Sequence, residues 1–306
     1  ADFDGDEMNA YFSDNMPAMA DSLIMSSVSR FFIAYQNCMP HLENIKDTIL
    51  GLFLLTKSDV KLSRYQATKL FANTTIKPDF DVNKEVYTGR ELVSMILPSI
   101  NYVGSNNFYD EKLAPYIKYE EDEKKIVIKH GKLISGVLDK KISKIYQIIA
   151  AEYSSNQAMI TMFNMQQLAL AYISIVGFSV GIKDLLIKHE CEEEIKHITD
   201  GLITQSEILT RRLEQNNIIP PLGQTVNEYY ENEQIAILNH DYIEQMMKGI
   251  DPNNSILTLS LCGSTGNLTI LRQILACYGQ RTIGSKRLPQ SMSYKTESVE
   301  TAKLSV

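Results

Sequence analysis

The sequence predicts an α+β chain that is predominantly α-helical, and three observations carry that reading. Apolar residues recur at three- and four-residue steps over much of the chain, as in Met19, Leu23, Met25, Val28 and Phe31. One stretch, KKIVIKHGKLISGVLDKK at 124–141, instead alternates β-branched residues with lysines on both sides of His130-Gly131, which predicts strand, turn, strand. Two long charged helical segments, 191–213 and 226–247, are joined by Pro220-Pro221 and Gly223. They predict an αα-hairpin standing out from the body.

The other elements follow in chain order. Helices are predicted over 17–35, 42–56 (LENIKDTILGLFLLT) and 63–72 from their apolar periods. Residues 77–87 contain Pro78 and no sustained period, and read as connector. The stretch 89–97 (GRELVSMIL) reads as a helix stopped by Pro98. Helices return over 143–152 and 156–176, before a glycine-bounded break at 177–186 (GFSVGIKDLL). Asp251-Pro252-Asn253-Asn254 is a further break, and a last helix is predicted over 268–278 after the loop CGSTGN. Residues 291–306 are polar and patternless and are expected to form a tail.

Composition narrows the class. With 306 residues, 44% hydrophobic and 22% charged, the chain can bury a core and is long enough for two domains. A formal net charge of −7 argues against a self-sufficient nucleic-acid clamp, which should be basic. It is compatible with one wall of a composite cleft. Cys38, Cys191, Cys262 and Cys277 are scattered without a CxxC pair, so neither a zinc ribbon nor a disulfide framework is expected. Apolar stretches such as 49–56 and 169–180 are too short or too polar to span a bilayer, so no membrane partner is expected. The sequence opens inside a motif and without methionine, and is expected to be a piece of a longer intracellular polypeptide.

That opening motif, DFDGDEMN at 2–9, holds the strongest chemistry. Asp2, Asp4 and Asp6 alternate, so in an extended segment their carboxylates leave one side of the backbone and Phe3 the other. To share one ion the loop must curl, and Gly5 permits the backbone angles that a curl needs. Three carboxylates without a neighbouring lysine or arginine make a hard-cation site suited to Mg²⁺, and hence to phosphate chemistry. Calcium is the nearest competitor. Counted from Asp2, however, an EF-hand's glycine falls at Glu7 and its closing glutamate at Ser13. A rival of another class is a non-catalytic, acidic helical module that binds a partner through its αα-hairpin.

ADFDGDEMN resembles the signature of the largest subunit of multi-subunit DNA-directed RNA polymerases, and six further stretches extend the likeness in the family's order. IKDTILGLFLLT (45–56) is similar to the helix after the active-site loop. GRELVSMILP (89–98), IKHGKLISGVLDKK (128–141) and GFSVGIKD (177–184) resemble landmarks of the pore. IIPPLGQTVNEYYE (218–231) resembles the turn between the funnel helices, and 253–289 resembles the segment leading toward the bridge helix. The chain departs from the family at Ser264 and Thr265, where alanine then lysine is usual. After Pro289 neither bridge helix nor trigger loop is recognisable. This drift points to a divergent branch such as a large DNA virus.

The resemblance implies three regions: the end of the active-site barrel loop (1–25), a mixed pore domain (26–185) and an αα-hairpin funnel domain (186–290), followed by the tail. It implies template-dependent transfer of nucleotides from NTPs to an RNA 3′ end by a two-metal mechanism, with Asp2, Asp4 and Asp6 holding Mg²⁺. Implied partners are template DNA, the RNA transcript, the second-largest and smaller subunits, and an elongation or cleavage factor at the funnel. A cellular enzyme would work in the nucleus, a viral one in host cytoplasm, nucleus or virion. The isolated 306 residues are expected to synthesise no RNA.

Several lesser candidates remain. Arg272, Arg281, Lys286 and Arg287 are secondary candidates, by charge, for nucleotide or RNA contact. Seven lysines between 124 and 144 read as a solvated strand face first and a phosphate-facing wall second. His189, Cys191 and His197 can share a helix face but lack a fourth zinc ligand. CGSTGN lacks the lysine of a phosphate loop, and KPDFD at 77–81 lacks the glycine and third acid of the opening motif.

Overall fold

The computed structural model describes residues 4–280, 282–283 and 286–287. They fall into two compact units. One comprises residues up to 107 together with 120–176, the other residues 108–119 together with those from 177 onward.

The first unit is built around two helices, α2 (Asp47–Leu55) and α6 (Ser155–Val176). Helix α2 is apolar almost throughout and is buried on nearly every side, from Thr48 through Phe53 and at Leu55. Helix α6 buries Ala158, Thr161, Met165, Leu168 and Tyr172, a stripe at steps of three and four residues. The two helices meet at Gly51. A Cβ there would lie 2.6 Å from the Ala169 carbonyl oxygen, so only glycine allows the approach. By length and composition α6 could cross a membrane, but its Ala158, Met165, Leu168 and Tyr172 are part of this unit's buried cluster.

The unit also contains α1 (Met16–Ile24), α3 (Arg64–Leu70), α4 (Gly89–Ser94) and α5 (Ser143–Glu152). Strands β1 (Lys61–Ser63) and β2 (Val86–Thr88) pair antiparallel. Strands β3 (Tyr102–Ser105), β4 (Lys125–Lys129) and β5 (Lys132–Ser135) form a meander in the order β3-β4-β5, with a bulge at Val127/Ile128. Its inner face carries Ile126, Ile128 and Leu133, and its outer face the exposed Lys125, Lys129 and Lys132. His130 and Gly131 both have positive φ, 49° and 73°, the two-residue turn geometry that matches strand twist.

The second unit contains α7 (His189–Glu214), α8 (Val226–Leu238), α9 (Ile243–Gly249), α10 (Ser255–Cys262) and α11 (Leu268–Leu275). A short ladder pairs β6 (Thr282–Ile283) with β7 (Lys286–Arg287). Helices α7 and α8 are the two arms of the predicted αα-hairpin. Ile195, Tyr242 and Cys277 form a buried cluster at its base.

The predominantly helical α+β class read from sequence holds, with four local corrections. The helix expected over 17–35 stops at Ile24: α1 buries no residue, and the chain after it turns so that Phe32 enters the core. The helix expected over 226–247 is two, since Asn239 leaves helical angles at φ −95°, ψ 52°. The break at 251–254 is also a start: Asn254 accepts hydrogen bonds from the Ile256 and Leu257 N–H groups and caps α10. Strand β2 begins inside the supposed connector 77–87, and β3 carried no sequence signal strong enough to predict it. The expected tail at 291–306 lies outside the described residues.

Candidate catalytic loop and its supporting nodes

Asp4 and Gly5 form a turn, with Asp6 directly after it, and both carboxylates are exposed. Gly5 has φ +129°, while a Cβ at that position would meet nothing within 4 Å. Glycine is therefore required by the backbone angle and not by space. Asp2 lies outside the described residues, so the structure gives two of the three proposed ligands. The fit of a hard cation rests on the donor set: two solvent-facing carboxylates, all oxygen, on either side of a left-handed glycine. Among the described residues no group of three or more His, Cys, Asp or Glu side chains is gathered to hold a metal. The zinc alternative fails in the same way: Cys191 is buried, whereas His189 is exposed beside Glu193, 3.6 Å away.

Elsewhere in the first unit, three of the family-like stretches converge on the C-terminal end of α2. Gly89 approaches so closely that a Cβ would lie 1.8 Å from the Leu55 carbonyl oxygen. Arg90 Nε donates to the Thr56 carbonyl at 3.1 Å, where a cation also meets the negative end of the helix dipole. Its Nη1 reaches the Asp122 carboxylate at 2.5 Å. Thr56 Oγ1 donates to the Leu52 carbonyl at 2.7 Å and accepts from the Leu138 N–H at 2.9 Å. Residues from 45–56, 89–98 and 128–141 thus share one hydrogen-bonded knot.

A second knot joins GFSVGIKD to the NNS that precedes α10. Asp184 accepts from the Gly181 N–H at 2.8 Å and the Ser255 N–H at 3.1 Å, while Asn254 Nδ2 donates to the Asp184 carbonyl at 2.7 Å. Those backbone donors, Gly181 first and Ser255 next, hold the Asp184 carboxyl below the usual carboxylate range.

The αα-hairpin is fastened by hydroxyls and one amide. Thr199, Ser206 and Thr210 lie on one face of α7 at steps of seven and four. Thr199 shares a hydrogen bond with the Tyr242 hydroxyl at 3.1 Å. Ser206 donates to Gln234 Oε1 at 2.6 Å, and Thr210 pairs with the Tyr230 hydroxyl at 3.0 Å. Gln234 is fully buried and also donates from Nε2 to the Ser206 carbonyl and to Thr210 Oγ1. Sequence reasoning gave the two charged arms and their turn but missed the ladder. Its only signal was the spacing of three small hydroxyl residues opposite a glutamine.

The secondary candidates have distinct surroundings. Arg272 Nη1 donates to the His240 carbonyl at 3.1 Å. Arg287 forms a two-pronged pair with Glu231, both bonds 2.8 Å, and its guanidinium lies 5.4 Å from the centre of the Tyr230 ring. That pair holds the Glu231 carboxyl below its ordinary range and the Arg287 guanidinium above its own. Lys286 lies in β7, and Arg281 falls outside the described residues. CGSTGN is a helix-to-helix connection: Gly263, at φ +75°, ends α10, and Asn267 caps α11 by accepting from the Ile270 N–H. In KPDFD, Asp81 closes a turn on the Asn83 N–H, and Phe80 packs edge-on against Phe71 and Tyr87.

A family profile described as RNA polymerase Rpb1, domain 3, matches residues 32–185, half of the chain. The chain belongs to the family of RNA polymerase largest subunits. A second profile of that family, RNA polymerase Rpb1, domain 4, matches residues 209–303. A DNA-directed RNA polymerase RPB1 homolog of African swine fever virus (strain Badajoz 1971 Vero-adapted) is 31% identical over 96% of this chain and 22% of its own length. DNA-directed RNA polymerase III subunit RPC1 of Homo sapiens, like that of Bos taurus, is 27% identical over 97% of this chain and 23% of its own. The chain thus spans under a quarter of the length of these relatives.

Proposed function

We propose that this chain is the catalytic-loop, pore and funnel portion of the largest subunit of a DNA-directed RNA polymerase. The regions would be 1–25, 26–185 and 186–290. The observation that carries the reading is the Asp4–Gly5 turn of the DFDGD motif, with Gly5 in a left-handed conformation between two exposed carboxylates, in a chain whose residues 32–185 and 209–303 match this family. Asp2, Asp4 and Asp6 would hold Mg²⁺, which when bound supplies charge stabilisation to the attacking and leaving oxygens of nucleotidyl transfer.

The chain's own residues do the rest. Asp4 and Asp6 present oxygen donors on one short turn, and Gly5 sets the angle between them. The α2 knot fixes the pore sheet and α4 to the core helix, and the hydroxyl ladder stiffens the hairpin. Template DNA, RNA, NTPs, the second-largest and smaller subunits and an elongation or cleavage factor at the funnel are the partners this reading requires. It works inside the cell, in the nucleus or in an infected host cell, and the similarity to a viral homologue supports a branch from a large DNA virus.

The test is Asp4→Ala in the complete polymerase, read as Mg²⁺-dependent RNA extension. Loss of extension by several orders of magnitude is expected, and preserved activity rejects the proposal. The purified 306 residues alone should extend no primer.

A further inference from the structure

We propose, resting on the polymerase reading above, that Arg287 is a positioning residue: it clamps the β6–β7 hairpin to α8 and serves nucleotide addition through that placement, not by touching nucleotide or RNA. By charge alone this arginine looked like a candidate phosphate contact. Its surroundings assign it another task.

The guanidinium is gripped on an edge and on a face. Nε donates to Glu231 Oε2 and Nη2 to Glu231 Oε1, both at 2.8 Å, the paired geometry that makes Arg–carboxylate contacts strong and directional. The neighbouring side chain on α8, Tyr230, offers its ring to the guanidinium face at 5.4 Å. The grip is partly shielded, with the Arg287 side chain 16% exposed and that of Glu231 38%. With its charge matched by Glu231 and with Nε and Nη2 committed to the fork, the guanidinium would have to share its charge with any phosphate that approached.

The contact continues beyond α8. The Tyr230 hydroxyl pairs with Thr210 Oγ1 on α7, and Thr210 Oγ1 also accepts from the buried Gln234. A chain of polar contacts therefore runs from β7 across α8 to α7. Lysine would not replace Arg287: an ammonium is a point charge without the fork or the flat face.

The experiment uses the assembled polymerase carrying R287A, R287K, E231Q, the double variant R287A/E231Q and the charge-swapped R287E/E231R. Single-nucleotide addition gives kcat and the KM for NTP, and thermal unfolding of the assembly reports folding. R287A and E231Q should each lower kcat by about tenfold with KM for NTP within about twofold, and the double variant should be no worse than R287A alone. R287K should behave like R287A, and the charge swap should recover part of the loss.

A raised KM with intact kcat in R287A, alongside a silent E231Q, would make Arg287 a nucleotide contact and overturn the proposal. Additive losses, or silence of both single variants, would also overturn it. Should R287A fail to assemble, R287K and E231Q decide by the same criteria. Asp4→Ala, run in parallel, separates the two readings: extension surviving in that variant sinks the polymerase site itself, whatever Arg287 does.

Discussion

Gly51→Ala should destabilise the first unit, although the same change at Gly201 should stabilise the second. Both glycines lie inside helices, α2 and α7, where alanine is favoured by about 1 kcal/mol on intrinsic propensity. At Gly201 nothing lies within 4 Å of an added Cβ, so the propensity gain stands unopposed. At Gly51 the methyl group would sit 2.6 Å from the Ala169 carbonyl oxygen, 2.9 Å from its carbon and 3.0 Å from the Ala169 Cβ. The first distance is about 0.8 Å short of ordinary contact, which begins at 3.4 Å. The obstructing atoms are backbone in the middle of α6 and cannot rotate away. Relief requires the two central helices to separate, and overpacking of that kind costs about 1–3 kcal/mol in a close-packed core. Set against the propensity gain, the net is a loss centred on about 1 kcal/mol and reaching about 2 kcal/mol. Denaturant unfolding of the chain, followed by helical circular dichroism with each variant beside the parent, measures both. An unchanged or raised midpoint in Gly51→Ala would refute the reasoning, because it would mean that α2 and α6 are not held at this separation.

Gln234→Ala should cost the αα-hairpin about 1–3 kcal/mol, since it removes the acceptor of the half-buried Ser206 hydroxyl and the amide donor to the Ser206 carbonyl and Thr210 Oγ1, and amide hydrogen exchange along α7 and α8 should accelerate. Thr56→Val keeps the shape but orphans the Leu138 N–H, and should lower stability by about 1–2 kcal/mol, read by the same unfolding assay. Asp184 has a folded pKa below its unfolded one. Its contribution is therefore complete above the unfolded carboxylate value, about 3.9, and is lost as pH falls through the lower folded value. Asp184→Asn should make the decline of stability below about pH 4 shallower than in the parent, and an unchanged acid limb would contradict that assignment.

The elements that could be read from sequence are those whose signal is local. Helix α2 is a continuous apolar run, α6 a stripe at steps of three and four, and the β4–β5 hairpin an alternating pattern around His130-Gly131. The misreadings occurred where distant residues decide. Residues 25–35 have a helical period but fold as turns that send Phe32 into the core, so the helix stops at Ile24. Strand β3 exists because β4 supplies its hydrogen-bond partners, and β2 because β1 does. The opening motif offers three acids and a glycine from which a hard-cation site can be read, whereas Arg287 offers only a charge.

The order of residues alone determined the class, the main helices and the hard-oxygen character of the first turn, because each depends on neighbours a few positions apart. Which motifs meet was decided only by the folded chain. The knot at the end of α2 joins residues 34 and 82 positions apart through Arg90 and Leu138. The clamp on Arg287 reaches back 56 positions to Glu231. Contacts at that separation form only when packing has closed the loops between them, so the task of a charged side chain depends on where closure leaves it.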